Sequence, residues 1–212
     1  MKRTSKPLKA LAGLDPLEFW RNNRMLFALT ALFALGMLAG ASNAAESPLP
    51  GGSLVAAIFK SSVQIRGSQA FVTTFLNALL SSSPYLFVIF FMGLSAGGLP
   101  VILFIPFFKG LGLGMLSGFL YADHGMQGLA YCVLTVFPGA VLSVASLLFA
   151  CREGARLSAI LFSSMRKKGG PAALHGEIKI YAARFCVFGL IFIISALVDA
   201  GCNLLFLRFF HF

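Results

Sequence analysis

Charged residues are scarce in this 212-residue chain, and their scarcity excludes a water-soluble globular domain. Lys, Arg, Asp and Glu together make up 11% of the residues, against roughly 25% in an average soluble domain. So few charges could not cover the surface of a domain folded in water. An ordinary cytosolic enzyme is therefore excluded, and the high apolar content also argues against a disordered chain.

Residues that build metal and catalytic sites are also few. The four cysteines contain no C-x-x-C pair and lie within or at the end of apolar runs, which is typical of small apolar residues and not of a disulfide scaffold. The seven acidic residues do not cluster, and the chain has neither an H-E-x-x-H sequence nor a P-loop. We therefore expect no metal, no cofactor and no enzymatic activity.

The chain is rich in apolar residues. They make up 58% of the chain, the mean hydropathy is +0.87, and they concentrate in five runs of about 20 residues, the length that crosses a hydrocarbon core of ~30 Å. The sequence predicts an all-α, polytopic integral membrane protein forming one domain over residues 1–212. The predicted transmembrane helices are 25–45, 77–96, 101–121, 128–150 and 185–207. Their connections are a cytoplasmic tail 1–24, an outer loop 46–76 and a cytoplasmic loop 151–184.

The distribution of basic residues predicts the orientation. Of the 17 Lys and Arg, six precede the first span and seven lie between the fourth and fifth spans, whereas three lie in the opposite segments. The positive-inside rule then predicts the N-terminus inside and the C-terminus outside. The same count results if spans two and three form a re-entrant hairpin. The net charge of +10 therefore indicates orientation and contact with anionic membrane lipid, not a nucleic-acid partner.

Two ionisable residues interrupt apolar spans. Lys109 lies at the centre of the third span, where a lysine costs at least ~2.5–3.5 kcal/mol on insertion scales, so it should face protein or water. Asp199 in the fifth span is its candidate partner, although the two lie at heights that differ by ~9 Å. Lys109 would anchor a partner helix or line an ion path, or it would be a snorkelling side chain or part of an intramolecular pair.

Glycines recur at a spacing of four in three spans. Gly110, Gly114 and Gly118 follow Lys109 directly. Gly36 with Gly40 repeats the spacing in the first span, and Gly93 with Gly97 repeats it in the second. Small residues at this spacing allow two helices to approach closely. We predict a helix-packing face here, used within the chain or against a partner.

One sequence matches a hydrolase motif in form. Residues 93–97 fit G-x-S-x-G around Ser95, but that motif requires a strand before the serine, and here a membrane helix precedes it. A dyad of Ser95 with Lys109 remains the hydrolytic alternative.

Across spans two to four the chain resembles the stage II sporulation protein M family of endospore-forming bacteria. The matching strings, in order, are Gly93-Leu94-Ser95, Gly98-Leu99-Pro100-Val101-Ile102-Leu103, Phe108-Lys109-Gly110, Gly118-Phe119-Leu120 and Phe137-Pro138. The turn at Gly98, Leu99 and Pro100 and the lysine at 109 belong to the matching pattern. Gly139-Ala140 departs from it, because the family tends to carry polar residues there.

The resemblance implies a non-enzymatic membrane scaffold of the engulfment machinery. Such a protein sits on the mother-cell side of the sporulation septum, where it recruits and stabilises a membrane-anchored peptidoglycan amidase and lytic transglycosylase. We expect these partners to dock on the glycine face of span three. The alternative is a small membrane transporter or channel subunit, with Lys109 and Asp199 lining a path.

Overall fold

Helices account for almost all of the described chain. The computed structural model describes residues 23–46, 71–166 and 171–206. Its elements are α1 (Arg24–Glu46), α2 (Phe71–Gly93), α3 (Leu99–Tyr131), a π-helical segment (Cys132–Val136), α4 (Phe137–Arg166) and α5 (Pro171–Phe206). Within these ranges no residue is in a strand. In the described part of the chain, five helical stretches are long and apolar enough to cross a membrane, as expected where backbone groups cannot bond to water. The predicted all-α fold with five spans is confirmed; its orientation stays a prediction.

Several helices extend beyond the apolar runs that predicted them. Helix α2 begins at Phe71, so residues 71–76 of the predicted outer loop are helical, and it continues through Pro84. Helix α4 continues to Arg166 and α5 begins at Pro171, so most of the predicted loop 151–184 belongs to these two helices. The end of an apolar run marks where a helix leaves the hydrocarbon, and the helix itself can continue further. Charged residues such as Arg and Glu are good helix formers in water.

The chain reverses direction between the third and fourth spans at a glycine. Gly125 has φ 57° and ψ −135° inside the helical stretch of α3, a conformation that a residue without Cβ adopts at little cost. The candidate spans Leu99–Ala122 and Gly125–Ser164 meet there. The predicted connection at 122–127 thus contains one sharp reversal, and no long loop.

The helices pack against one another around a main apolar core and a smaller second cluster. Helix α1 packs along α3, α4 packs along α5, and α2 packs against α5 and α4. Helices α2 and α3 are joined by the turn at 94–98, and their backbones come close at few positions. The core near this turn is the basal cluster, formed by the buried residues Leu29, Ile89, Ile102, Ile105, Leu147, Ala150, Cys151, Ala155, Leu157, Tyr181, Phe185 and Phe192.

Candidate functional site

The glycine face of α3 is covered by α1. A Cβ added at Gly114 would lie 3.0 Å from the backbone nitrogen of Ala41, and one added at Gly40 would lie 2.8 Å from that of Met115. Gly36, Gly110 and Gly118 meet the opposite helix at similar distances. A partner docked on this face would have to displace α1. Docking there, which we expected, is therefore incompatible with this structure.

The family-like turn at 94–98 is fixed by backbone geometry. Gly98 precedes the first residue of α3, and Pro100 stands in the first helical turn, where its missing N–H costs no hydrogen bond. A Cβ on Gly98 would overlap the backbone of Met92, so this position requires glycine. Gly98 N donates to the Ser95 carbonyl at 3.2 Å, which closes the turn.

Two side chains from other helices hold this turn in place. Ser158 Oγ on α4 donates to the Ser95 carbonyl at 2.9 Å. The Tyr181 hydroxyl on α5 lies 3.2 Å from the Ile89 carbonyl and 3.3 Å from the Phe90 carbonyl. Sequence reasoning missed both residues, because a serine and a tyrosine near a membrane boundary are ordinary and give no signal of a cross-helix contact.

A polar cavity of about 240 Å³ lies between α2, α3, α4 and α5. Both ionisable residues singled out in the sequence, Lys109 and Asp199, line it. The other polar lining residues are Ser81, Ser82, Tyr85, Ser143 and Ser195. The four helices thus bring to one place a set of groups that the sequence distributes over more than one hundred residues. This cavity is the candidate functional site.

Lys109 is held by α2. Its Nζ donates to the buried Ser82 Oγ at 3.2 Å and lies 5.1 Å from the centroid of the Tyr85 ring, within the range of a cation–π contact. The residue lies ~15 Å along α3 from the turn, close to the middle of a ~30 Å hydrocarbon core. The side chain therefore lies among helices and not in lipid, as its insertion cost requires.

Asp199 is buried where α4 and α5 approach closely. A Cβ added at Gly139 on α4 would lie 2.7 Å from Asp199 Cβ, so the glycine makes room for the aspartate. One turn earlier on α5, Ser195 Oγ donates to the Gly139 carbonyl at 2.7 Å. Gly139, which departs from the family pattern in sequence, thus has a defined packing role.

The helix that carries Gly139 begins with a widened turn. Residues Cys132–Val136 are π-helical, and the N–H of Phe137 donates to the Cys132 carbonyl. Pro138 follows, and it has no N–H to donate to the carbonyl four residues earlier. Val136 lines the cavity. Such π-helical turns are frequent at functional sites.

The arrangement does not bring the hydrolase candidates together. Ser95 lies in the turn, whereas Lys109 lies ~15 Å further along α3, too far for proton transfer between them. Within the described residues, no three His, Cys, Asp or Glu side chains come together in a way that could hold a metal ion.

Comparison with known proteins identifies a family. The family model described as stage II sporulation protein M matches residues 29–202. No curated protein and no solved structure matches the chain. The matched range includes every residue that lines the cavity.

Proposed function

Because the chain belongs to the stage II sporulation protein M family, we propose that it is a non-enzymatic membrane scaffold of the engulfment machinery. It recruits and stabilises a membrane-anchored peptidoglycan amidase and lytic transglycosylase on the mother-cell side of the sporulation septum. The single observation that carries this proposal is the family match, which extends over residues from all five candidate spans.

The lipid-facing surface is where a partner's membrane anchor would contact the scaffold. Helix α1 already covers the glycine face of α3, so docking uses the exposed apolar side chains of the helices. Phe87 on α2, Phe104 on α3 and Leu190 on α5 are each about 60% exposed. Helix–helix association in lipid depends on packing and hydrogen bonds, not on apolar burial, so these side chains serve as contact points only where a partner fits their shape.

Cross-linking tests this proposal. A photo-reactive amino acid placed at position 87, 104 or 190 in sporulating cells should cross-link to the amidase or the transglycosylase from at least one of the three positions. The control is the same amino acid at Leu147, which is fully buried and should give no cross-link to either partner. No cross-link from any exposed position, at normal amounts of all three proteins, would contradict the scaffold role.

A small transporter or channel subunit is the second candidate, and the polar cavity is the observation that favours it. Intramembrane ionisable residues often mark solute paths, and Lys109 and Asp199 share this cavity. The scaffold remains the better-supported proposal, because the basal cluster fills the space between the cavity and the turn at 94–98 with apolar side chains.

A further inference from the structure

Apolar side chains close the polar cavity at both of its ends along the helices. Toward the turn at 94–98, Ile89 and Ile102 of the basal cluster follow the lining residues Ser82 and Lys109. Toward the opposite end lies the distal cluster, formed by the buried residues Leu120, Tyr131, Cys132 and Val136 with Leu113 and Leu116 packed against them. Three of these residues also line the cavity, namely Leu113, Leu116 and Val136. The cavity is thus separated by apolar side chains from both ends of the described bundle.

The cavity opens sideways, between α2 and α3. Ser81 on α2 and Gly112 on α3 both line it and are exposed. A Cβ added at Gly112 would meet no atom within 4 Å, and the backbones of the two helices come close at few positions. Gly112 lies ~21 Å along α3 from Gly98, within the depth of a ~30 Å hydrocarbon core. The opening therefore faces the interior of the membrane.

The charge nearest this opening is positive. Lys109 is only partly buried, and its Nζ contacts Ser82 and the Tyr85 ring, so the ammonium lies between the two helices that form the opening. Asp199 is buried on α5 against Gly139 of α4, at the back of the cavity. A group that enters between α2 and α3 therefore meets the ammonium first.

The position and size of the opening restrict what could occupy it. Lipid head groups lie at the interface, roughly 15 Å from the centre of the hydrocarbon. A volume of about 240 Å³ is smaller than the roughly 300–1,000 Å³ of most small-molecule pockets, and suits a side chain. A twofold contact between two copies of this chain joins one surface to itself, and a cavity cannot fill itself. The transmembrane helix of another protein meets all three conditions.

The edges of the opening suit such a helix. Asn77 and Ser81 lie one turn apart on the exposed side of α2, and Gly112 leaves open space on α3. In lipid, small residues let helices approach closely, and polar side chains form hydrogen bonds between them. Lys109 lies three residues before Gly112, on the same side of α3, so a helix that crosses Gly112 can direct a side chain at the ammonium. A carboxylate is the side-chain group that complements it.

We infer that the opening between α2 and α3 binds a transmembrane helix of a partner protein through an Asp or Glu side chain near the middle of that helix, which pairs with Lys109. The inference goes beyond the scaffold role and does not depend on which protein supplies the helix. A carboxylate at this depth is costly in lipid, and pairing with Lys109 inside the opening offsets that cost.

Synthetic transmembrane peptides test this inference. The full chain, with its four cysteines replaced by alanine and with Gly112→Cys, is reconstituted in phosphatidylcholine vesicles. The probe is a polyleucine peptide that carries one central glutamate and a cysteine one turn away. Disulfide cross-linking to this peptide should exceed that to the same peptide with a central leucine by roughly threefold to tenfold, the effect of one polar contact between membrane helices.

Ile194→Cys in the same cysteine-free chain is the matched control. Ile194 is 54% exposed on α5 and directly precedes Ser195, which lines the cavity, so it lies at the height of the cavity but outside it. This variant should cross-link equally to the two peptides. In the chain with Gly112→Cys, the further change Lys109→Met should abolish the preference for the glutamate peptide.

Three results would overturn the inference. They are equal cross-linking of Gly112→Cys to the two peptides, the same preference at Ile194→Cys, and a preference that persists in Lys109→Met. If Lys109→Met does not accumulate, a peptide with a central glutamine replaces it as the test of charge. That peptide should cross-link to Gly112→Cys less than the glutamate peptide does, and equal cross-linking would contradict the pairing with Lys109.

Discussion

Lys109 and Asp199 were visible in the sequence because a charge inside an apolar run is expensive and therefore rare. What surrounds them was not visible. Ser82 and Ser195 look like ordinary helical serines, since a serine can bond to its own helix and needs no partner elsewhere. Their contacts with Lys109 and with the Gly139 carbonyl depend on which helices become neighbours. A spacing-of-four row of small and polar residues on α2, Thr74, Ala78 and Ser82, was the one available signal of a buried polar face.

The Tyr181 hydroxyl group is predicted to contribute to stability through its hydrogen bond to α2. Tyr181→Phe removes the donor that faces the Ile89 and Phe90 carbonyls near the end of α2. We expect the free energy of unfolding in detergent to fall by about 0.5–1.5 kcal/mol, the usual net value of a hydrogen bond. Thermal unfolding of the two proteins in detergent measures this change in the free energy of unfolding.

Tyr121→Phe is the control, because Tyr121 is 52% exposed and its change should leave the unfolding temperature almost unaltered. The role assigned to the Tyr181 hydroxyl fails if the two variants unfold at the same temperature.

Glycine spacing predicts that an element packs closely, but not against which neighbour. The row on α3 and the pair on α1 were both apparent in the sequence, and the structure places them against each other.

Helix ends were harder to predict. The charged residues of 151–184 mark departure from the membrane, yet α4 and α5 continue, with Glu153 of α4 paired to Arg184 of α5.

Two glycines two residues apart on α3 test the α1–α3 contact. Gly114→Ala places a Cβ against the backbone of α1, whereas Gly112→Ala places one in open space. Overpacking typically costs 1–3 kcal/mol, while alanine is about 1 kcal/mol better than glycine in a helix interior. Gly114→Ala should therefore lower the unfolding temperature in detergent, and Gly112→Ala should keep or raise it.

The reverse order, or equal stability of the two variants, would show that α1 does not pack on α3 as described. Since both substitutions add one methyl group to the same helix, differences in expression or helix propensity do not explain a difference between them.

For the whole molecule, composition was enough to predict a five-span helical membrane protein, because few charges and long apolar runs leave no other stable fold. The polar cavity was not predictable, since it arises only when four helices meet. Orientation remains a prediction from the basic residues.

Reporter fusions test that orientation. Thirteen basic residues in the segments predicted to be cytoplasmic, against three in the opposite segments, should place residues 46–70 and the C-terminus outside the cytoplasm. Alkaline phosphatase, which is active only outside, should be active when fused after residue 60 or after residue 212, and inactive when fused after residue 168. Activity at 168 with none at 60 would reverse the proposed topology.

The scaffold role is tested most directly by the position of its partner. In sporulating cells that lack this chain, a fluorescent fusion of the peptidoglycan amidase should lose its enrichment at the septum, and expression of the wild-type chain should restore it. Amounts of the fusion are matched by immunoblot, so that loss of position is not loss of protein. Unchanged septal enrichment of the amidase in cells without the chain would contradict the proposed function.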